Sequence, residues 1–162
     1  MILMRILEVG RQFRPKTSHV YPPFKNGRYM EEYVYEYLLS KKDEIKTDLV
    51  YIPVFWTNLQ IRSNFELTKN NYNILLQSYF KNMDPNTKYF TVVQHDDGPL
   101  LTLPKNTIIF GACTGTIPLP LIYEDQNQLL LQLTRIPFHH KDFLASFIGT
   151  TTTHPLRQKL ST

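Results

Sequence analysis

Apolar residues along this chain fall into two patterns, continuous blocks and stripes at helical spacing, separated by polar, proline-marked stretches. Leu3 to Val9 is a short apolar run that predicts a first strand. A polar loop punctuated by proline follows from Arg11 to Asn26 and includes Tyr21-Pro22-Pro23-Phe24. From Tyr29 to Lys42, residues Met30, Tyr33, Val34, Tyr37 and Leu38 recur at helical spacing, predicting an amphipathic helix whose tyrosines lie on the core face with wet hydroxyl tips. Asn26-Gly27 marks its start, and Glu31 and Glu32 fall in the first turn, where the helix dipole favours anions.

Leu49 to Trp56 is continuously apolar, the pattern of a strand buried on both faces of a parallel sheet. Pro53 cannot donate to a ladder, so the strand is expected at Leu49 to Ile52, with Pro53 to Trp56 beyond its carboxyl end. Tyr72, Leu75, Leu76, Tyr79, Phe80 and Met83 predict a second helix, stopped by Asp84-Pro85. Tyr89 to Gln94 and Thr107 to Phe110 predict two more buried strands, and Leu129 to Leu133 and Phe143 to Ile148 complete the set. Strands alternating with helices at these lengths predict an α/β fold, a Rossmann-like βαβ sandwich with a mostly parallel sheet. After the last strand, Thr153 and Pro155 suit a helix start, and Leu156 to Leu160 would continue it. This reads as the opening of another βα unit in a truncated or split chain.

At 162 residues, the chain holds one full-sized domain, which limits any function that needs two. Hydrophobic residues at 42% and charged residues at 20% exclude a disordered chain. The net charge of +4 is scattered, without a block of like charges, which points to a solvated surface and not to a nucleic-acid stripe. Cys113 is the only cysteine, so an internal disulfide and every multi-cysteine metal site are excluded. The N-terminal apolar run is broken by Arg5 and Glu8, too short for a signal core or a membrane span. A reducing, cytoplasmic setting is the expectation.

Ligands of open α/β sheets collect outside the carboxyl ends of the strands. Three polar or small clusters fall there: Trp56-Thr57-Asn58, His95-Asp96-Asp97-Gly98 and Gly111 to Gly115. An aromatic platform, an amide, an imidazole and two carboxylates are what sugar recognition requires, since hydroxyls need paired donors and acceptors and a pyranose C–H face stacks on an aromatic ring. Each cluster also has a structural explanation: Trp56 as a packed rim residue, His95 as a hydrogen-bonded structural histidine, and Asp96-Asp97-Gly98-Pro99 as a turn. Asp96-Asp97 is not a D-x-D motif, so no metal site is assigned to it. The Gly111 to Thr116 stretch lacks phosphate-loop spacings, and Pro118 and Pro120 argue against a following helix, which leaves a tight loop. Cys113 has no neighbouring histidine in sequence to support a nucleophile role. His139 and His140 would point to opposite faces if extended, against a shared metal.

Taken together, several segments resemble the exostosin-like glycosyltransferases. They are Tyr21 to Phe24 with Tyr29 to Tyr33, Tyr51 to Asn58, Tyr89 to Gly98, Leu103 to Ala112 with Ile117 to Ile122, and Phe143 to Gly149 with His154 to Arg157. Their order and spacing carry the resemblance, which spans nearly the whole chain from Tyr21. It implies the N-terminal, acceptor-side half of a GT-B architecture at residues 1–142, and at 143–162 the start of the C-terminal, nucleotide-sugar domain. It further implies sugar transfer from a nucleotide-sugar co-substrate to a glycan hydroxyl, with no resident cofactor assigned. His95, Asp96 and Asp97 would orient or deprotonate the acceptor, Trp56, Asn58 and Gly98 would line its crevice, and Arg157 would approach the donor phosphates. A non-catalytic carbohydrate-binding module derived from such an enzyme is the alternative. A weak nucleic-acid binder, suggested only by basic charge and many aromatics, ranks last.

Overall fold

Five short runs pair into one all-parallel sheet in the order β1-β2-β3-β4-β5. They are β1 (Arg5–Ile6), β2 (Val50–Tyr51), β3 (Tyr89–Val93), β4 (Thr107–Gly111) and β5 (Ile117–Pro118). In this computed structural model, residues 2–16, 28–69, 71–120, 128–134, 136–140, 142 and 159 are described. The helices are α1 (Met30–Lys41), α2 (Trp56–Arg62), α3 (Asn71–Lys81) and α4 (Leu129–Gln132). The chain divides into two compact units, Met1–Glu124 and Asp125–Thr162.

Within the first unit the fold is the expected Rossmann-like α/β arrangement, because alternate residues of each strand face opposite helical layers. Val50, Ile52, Tyr89 and Val93 point to one face, where they pack with Trp56 and Leu59 of α2 and Leu76 and Phe80 of α3. Tyr51, Phe90, Val92 and Phe110 point to the other, where Met30, Val34 and Leu38 of α1 cover them. The steps β1 to β2 and β2 to β3 run the same way along the sheet, yet their helices lie on opposite faces. The two crossovers therefore have opposite hands, whereas about 98% of such connections are right-handed. Both faces are thus covered without any reversal of strand order among the described strands.

Most predicted elements are present, and the differences have physical reasons. Pro53 does end β2 early, although Ile52 N–H still donates to Phe90 O at 2.8 Å. On α1 the inward stripe is narrower than its apolar pattern: Tyr33 and Tyr37 are 46% and 61% exposed. The Arg28 guanidinium lies 4.3 Å over the Tyr33 ring, which suits a tyrosine at the wet edge of the helix. Glu31 and Glu32 are buried instead. Beyond α3, Asp84 accepts from Asn86 N–H and the Thr87 hydroxyl, a turn that halts the helix and holds the Asp84 carboxyl below its usual range.

In the second unit, the strand expected at Leu129 to Leu133 is instead the single helical turn α4. A short leucine run carries no periodicity that separates strand from helix, and leucine favours the helix. His139 and His140 are not extended either. They share a 3-10 turn at Phe138–His140, and their rings meet edge to face at 4.3 Å. The readings at Tyr21 to Phe24, Asn26-Gly27, Phe143 to Ile148 and Thr153 to Arg157 lie outside the described residues.

Trp56 ties β2, β3 and α3 together. Its ring is fully buried against Phe80, and its Nε1–H donates to Thr91 Oγ1 at 2.8 Å, while the Thr91 hydroxyl donates to Ile52 O at 3.0 Å. Trp56→Ala is expected to lower stability by about 3–5 kcal/mol, and Trp56→Phe, which removes only the donor and a little volume, by about 1–2 kcal/mol. Urea unfolding midpoints read both. An unchanged midpoint in Trp56→Ala would show that the indole is not a core residue.

Candidate functional site

The loop after β3 and the loop after β4 meet beyond the carboxyl edge of the sheet. Gly98 makes the meeting possible: its φ is +74°, and a Cβ there would stand 2.6 Å from Thr114 Oγ1. Gly111 has a similar part on the other loop, since a Cβ there would collide with the Thr114 carbonyl. That close turn lets residues 112–116 return the chain to parallel pairing with β4, far short of the roughly dozen residues a parallel crossover usually takes. Only the last two residues of β4 are paired with β5, so the chain need not run back along the whole strand. The tight loop expected at Gly111 to Thr116 thus ends in a strand at Ile117–Pro118, which the sequence did not predict.

Four of the site residues expected from sequence, His95, Asp96, Asp97 and Gly98, sit together in the β3 loop. His95 is largely buried, and its Nδ1 accepts from the Asp97 backbone N–H at 3.3 Å. With Nδ1 accepting, a neutral imidazole carries its proton on Nε2. The Asp97 carboxylate is exposed and 4.0 Å from Nδ1, too long for a hydrogen bond. Asp96 Oδ1 accepts from Cys113 Sγ at 3.2 Å, which links the two loops. Gly98 is buried beneath them as a joint, so its contribution is geometric.

Trp56 and Asn58 are placed differently. Both lie in the first turn of α2, and the indole has no open face on which a sugar can stack. The Asn58 amide donates to Pro15 O and Glu32 Oε1, and so is committed to the segment after β1 and to α1. A continuous apolar run ending in tryptophan is satisfied best by burial, and the helix that starts at Trp56 turns the ring under the sheet. The aromatic beside His95 is Phe65, which sequence reasoning missed. Its ring centroid is 6.0 Å from that of the imidazole, and it is 48% exposed. Asn64 and Phe65 have φ of 53° and 62°, left-handed values that a bulky residue rarely adopts. The only sequence signal is an aromatic residue within the polar turn Ser63 to Glu66. Arg157 lies outside the described residues.

Behind this edge lies a buried polar web centred on Glu31. Its Oε1 accepts from Thr57 N–H, the Thr57 hydroxyl and Gln94 N–H at 3.1, 2.7 and 3.2 Å. Gln94 Oε1 in turn accepts from Met30 N–H at 2.9 Å. Among the described residues, Glu31 Oε2, the Tyr51 hydroxyl, Asn58 Oδ1 and both amide atoms of Gln60 are buried with no hydrogen-bond partner. Burial pushes the Glu31 carboxyl above its ordinary 4.5, against the opposing pull of its donors. It likewise pushes the Tyr51 phenol up, with the Glu31 charge adding to the effect. Among the described residues, no group of three or more His, Cys, Asp and Glu side chains is arranged to hold a metal ion.

A carboxyl whose folded pKa is raised favours the fold below the unfolded value and loses that contribution as pH rises through the folded value. Within that window, stability falls by about 1.4 kcal/mol per pH unit. Glu31→Gln keeps the acceptor oxygen and removes the titration. Its urea midpoint is therefore expected to gain on the unsubstituted protein as pH rises above the ordinary carboxyl value of 4.5. Parallel curves would show that Glu31 is ionised in the fold at no cost. Glu31→Ala strands three donors and is expected to lose about 3 kcal/mol or more at every pH.

The arrangement thus offers an exposed aromatic ring, an imidazole donor and two carboxylates at one loop edge of a parallel sheet. No protein-family model, curated protein or solved structure matches the chain.

Proposed function

We propose that this chain is the acceptor-side, Rossmann-like part of a glycosyltransferase of exostosin-like type, working in a cytoplasmic setting. The observation that carries the reading is the exposed Phe65 ring beside His95, with the Asp97 carboxylate open to solvent on the same loop. A ring held outward in a strained left-handed turn is the kind of feature found where a surface must meet a ligand. Phe65 takes the stacking part first expected of Trp56.

In this reading a pyranose lies with its C–H face on Phe65, and His95 Nε2–H donates to one of its hydroxyls. Asp96 is engaged by Cys113, which leaves Asp97 as the base. The acceptor oxygen attacks the anomeric carbon of the donor sugar while its proton passes to the Asp97 carboxylate, and the nucleoside diphosphate departs with the bonding pair. The departing diphosphate needs cationic stabilisation from a donor domain, for which Arg157 is the candidate from this sequence. The buried Glu31 web holds α1, α2 and the end of β3 in register behind the loop and touches no substrate.

Calorimetric titration of an oligosaccharide panel and a nucleotide-sugar panel tests the binding half of the proposal. Glycan binding is expected, and Phe65→Ala is expected to weaken it by about tenfold, the loss of one stacking contact. With binding established, Asp97→Asn is expected to retain the glycan but lower transfer by about a hundredfold or more, measured with the donor domain present. Binding in which Asp97→Asn changes nothing would favour a non-catalytic carbohydrate-binding module. Failure of every glycan to bind would remove the reading.

A further inference from the structure

A second concave feature lies along the same carboxyl edge of the sheet, where the segment after β1 meets α1. It is a cleft of about 270 Å³. Arg11, Arg14 and Lys16 line one wall, Glu32, Tyr35 and Glu36 of α1 line the other, and Phe55 closes the floor. Its volume is slightly below the ~300–1,000 Å³ of typical small-ligand sites, enough for a phosphate group and a small organic portion.

The charges on its walls are unevenly matched. Both carboxylates already have partners: Arg28 stands 3.8 Å from Glu32 and 2.6 Å from Glu36, and the Asn58 amide donates to Glu32 at 3.1 Å. Among the described residues, Arg11, Arg14 and Lys16 form no ion pair. Three cations held around one concavity repel one another, and an entering anion relieves that repulsion.

Arg14 is also oriented in advance. Its Nη1 donates to Val9 O at 2.9 Å, and the guanidinium carbon sits 5.0 Å over the Tyr35 ring. Tyr35 is braced in turn by Phe55, with ring centroids 5.8 Å apart. One N–H of the five is thereby committed and the plane is fixed, which leaves the remaining donors to meet a tetrahedral oxyanion in paired fashion.

We propose that this cleft binds the phosphate group of a phosphorylated small molecule, with the phosphate between Arg11, Arg14 and Lys16 and the organic portion against Tyr35 and Phe55. The site shares no residue with the His95–Asp97 loop and does not rest on glycosyl transfer.

Inorganic phosphate and phenyl phosphate, titrated calorimetrically at fixed ionic strength, separate the free ion from the ester. Saturable binding of both is expected, with phenyl phosphate tighter by about tenfold because only the ester covers the aromatic floor. Arg14→Gln is expected to weaken both by about tenfold or more. Arg11→Gln, at an exposed position, is expected to weaken both by a smaller factor, and it keeps the test valid if Arg14→Gln fails to fold. Lys105→Gln removes the same charge just before β4, at the opposite edge of the sheet, and is expected to leave both affinities unchanged. The proposal is overturned by absence of saturable binding up to about 10 mM. It is equally overturned by equal losses in Arg11→Gln and Lys105→Gln, which would indicate general charge attraction, or by equal affinities for the two probes, which would remove the ester.

Discussion

Glu31 places a carboxyl where an α/β domain ordinarily places a hydrocarbon, and the surrounding elements satisfy one of its two oxygens. One of its oxygens gathers the Thr57 amide and hydroxyl from the first turn of α2 and the Gln94 amide from the end of β3. Gln94 Oε1 accepts from the backbone N–H of Met30, the first residue of α1, so two helices and a strand are fixed by one small network. Hydrophobic packing tolerates sliding, whereas hydrogen bonds of this length tolerate little, so the network sets the register of the layers. Taking the group out of water favours its neutral form, and the same burial that gives the network its rigidity makes it sensitive to pH.

The sheet makes the loops at this edge decisive. Strand order runs consecutively, and helices cover both faces without a reversal of direction. A crevice created by a reversal of strand order is therefore absent from the described strands, and the concavities described above are lined by loops and helix starts. The β3 and β4 loops are drawn together by the bare Cα atoms of Gly98 and Gly111 and by the Cys113–Asp96 bond. The segment after β1 folds against α1 and is tied by Arg14 to Val9 and by Asn58 to Pro15. The first presents an aromatic ring with an imidazole and carboxylates, the second presents cations over aromatic rings. Their chemistries suit different ligand groups, neutral hydroxyls for one and an oxyanion for the other.

The aromatic residues divide between core and surface according to the local structure around each. Trp56 ends a continuous apolar run and begins a helix, so the largest side chain available is turned inward and its one polar atom finds Thr91. Phe65 lies past the end of that helix in a turn with left-handed backbone at two successive residues, and its ring is pushed outward beside His95. The tyrosines of α1 divide similarly: Tyr29 is buried at the start of the helix, and Tyr33 and Tyr37 remain in water.

Much of this architecture is legible from the order of residues. Blocks such as Tyr89 to Val93 and Thr107 to Phe110 are apolar on both faces, which only a covered parallel sheet can accommodate, and the stripe from Tyr72 to Phe80 fits only a helix. The pairing of His95, Asp96 and Asp97 at a strand end follows from their adjacency in the chain. What sequence could not settle depends on contacts between distant segments. Whether Leu129 to Gln132 extends or coils is a matter of tertiary surroundings, because the run is too short to carry a period. That Glu31 enters the core depends on donors 26 and 63 residues away. That Trp56 is withdrawn and Phe65 offered depends on how α2 leaves the sheet. Local patterns determine which elements form, since periodicity is a property of neighbours; burial of a charge or exposure of a ring is decided by the packed whole, since desolvation is shared among segments that meet only after folding.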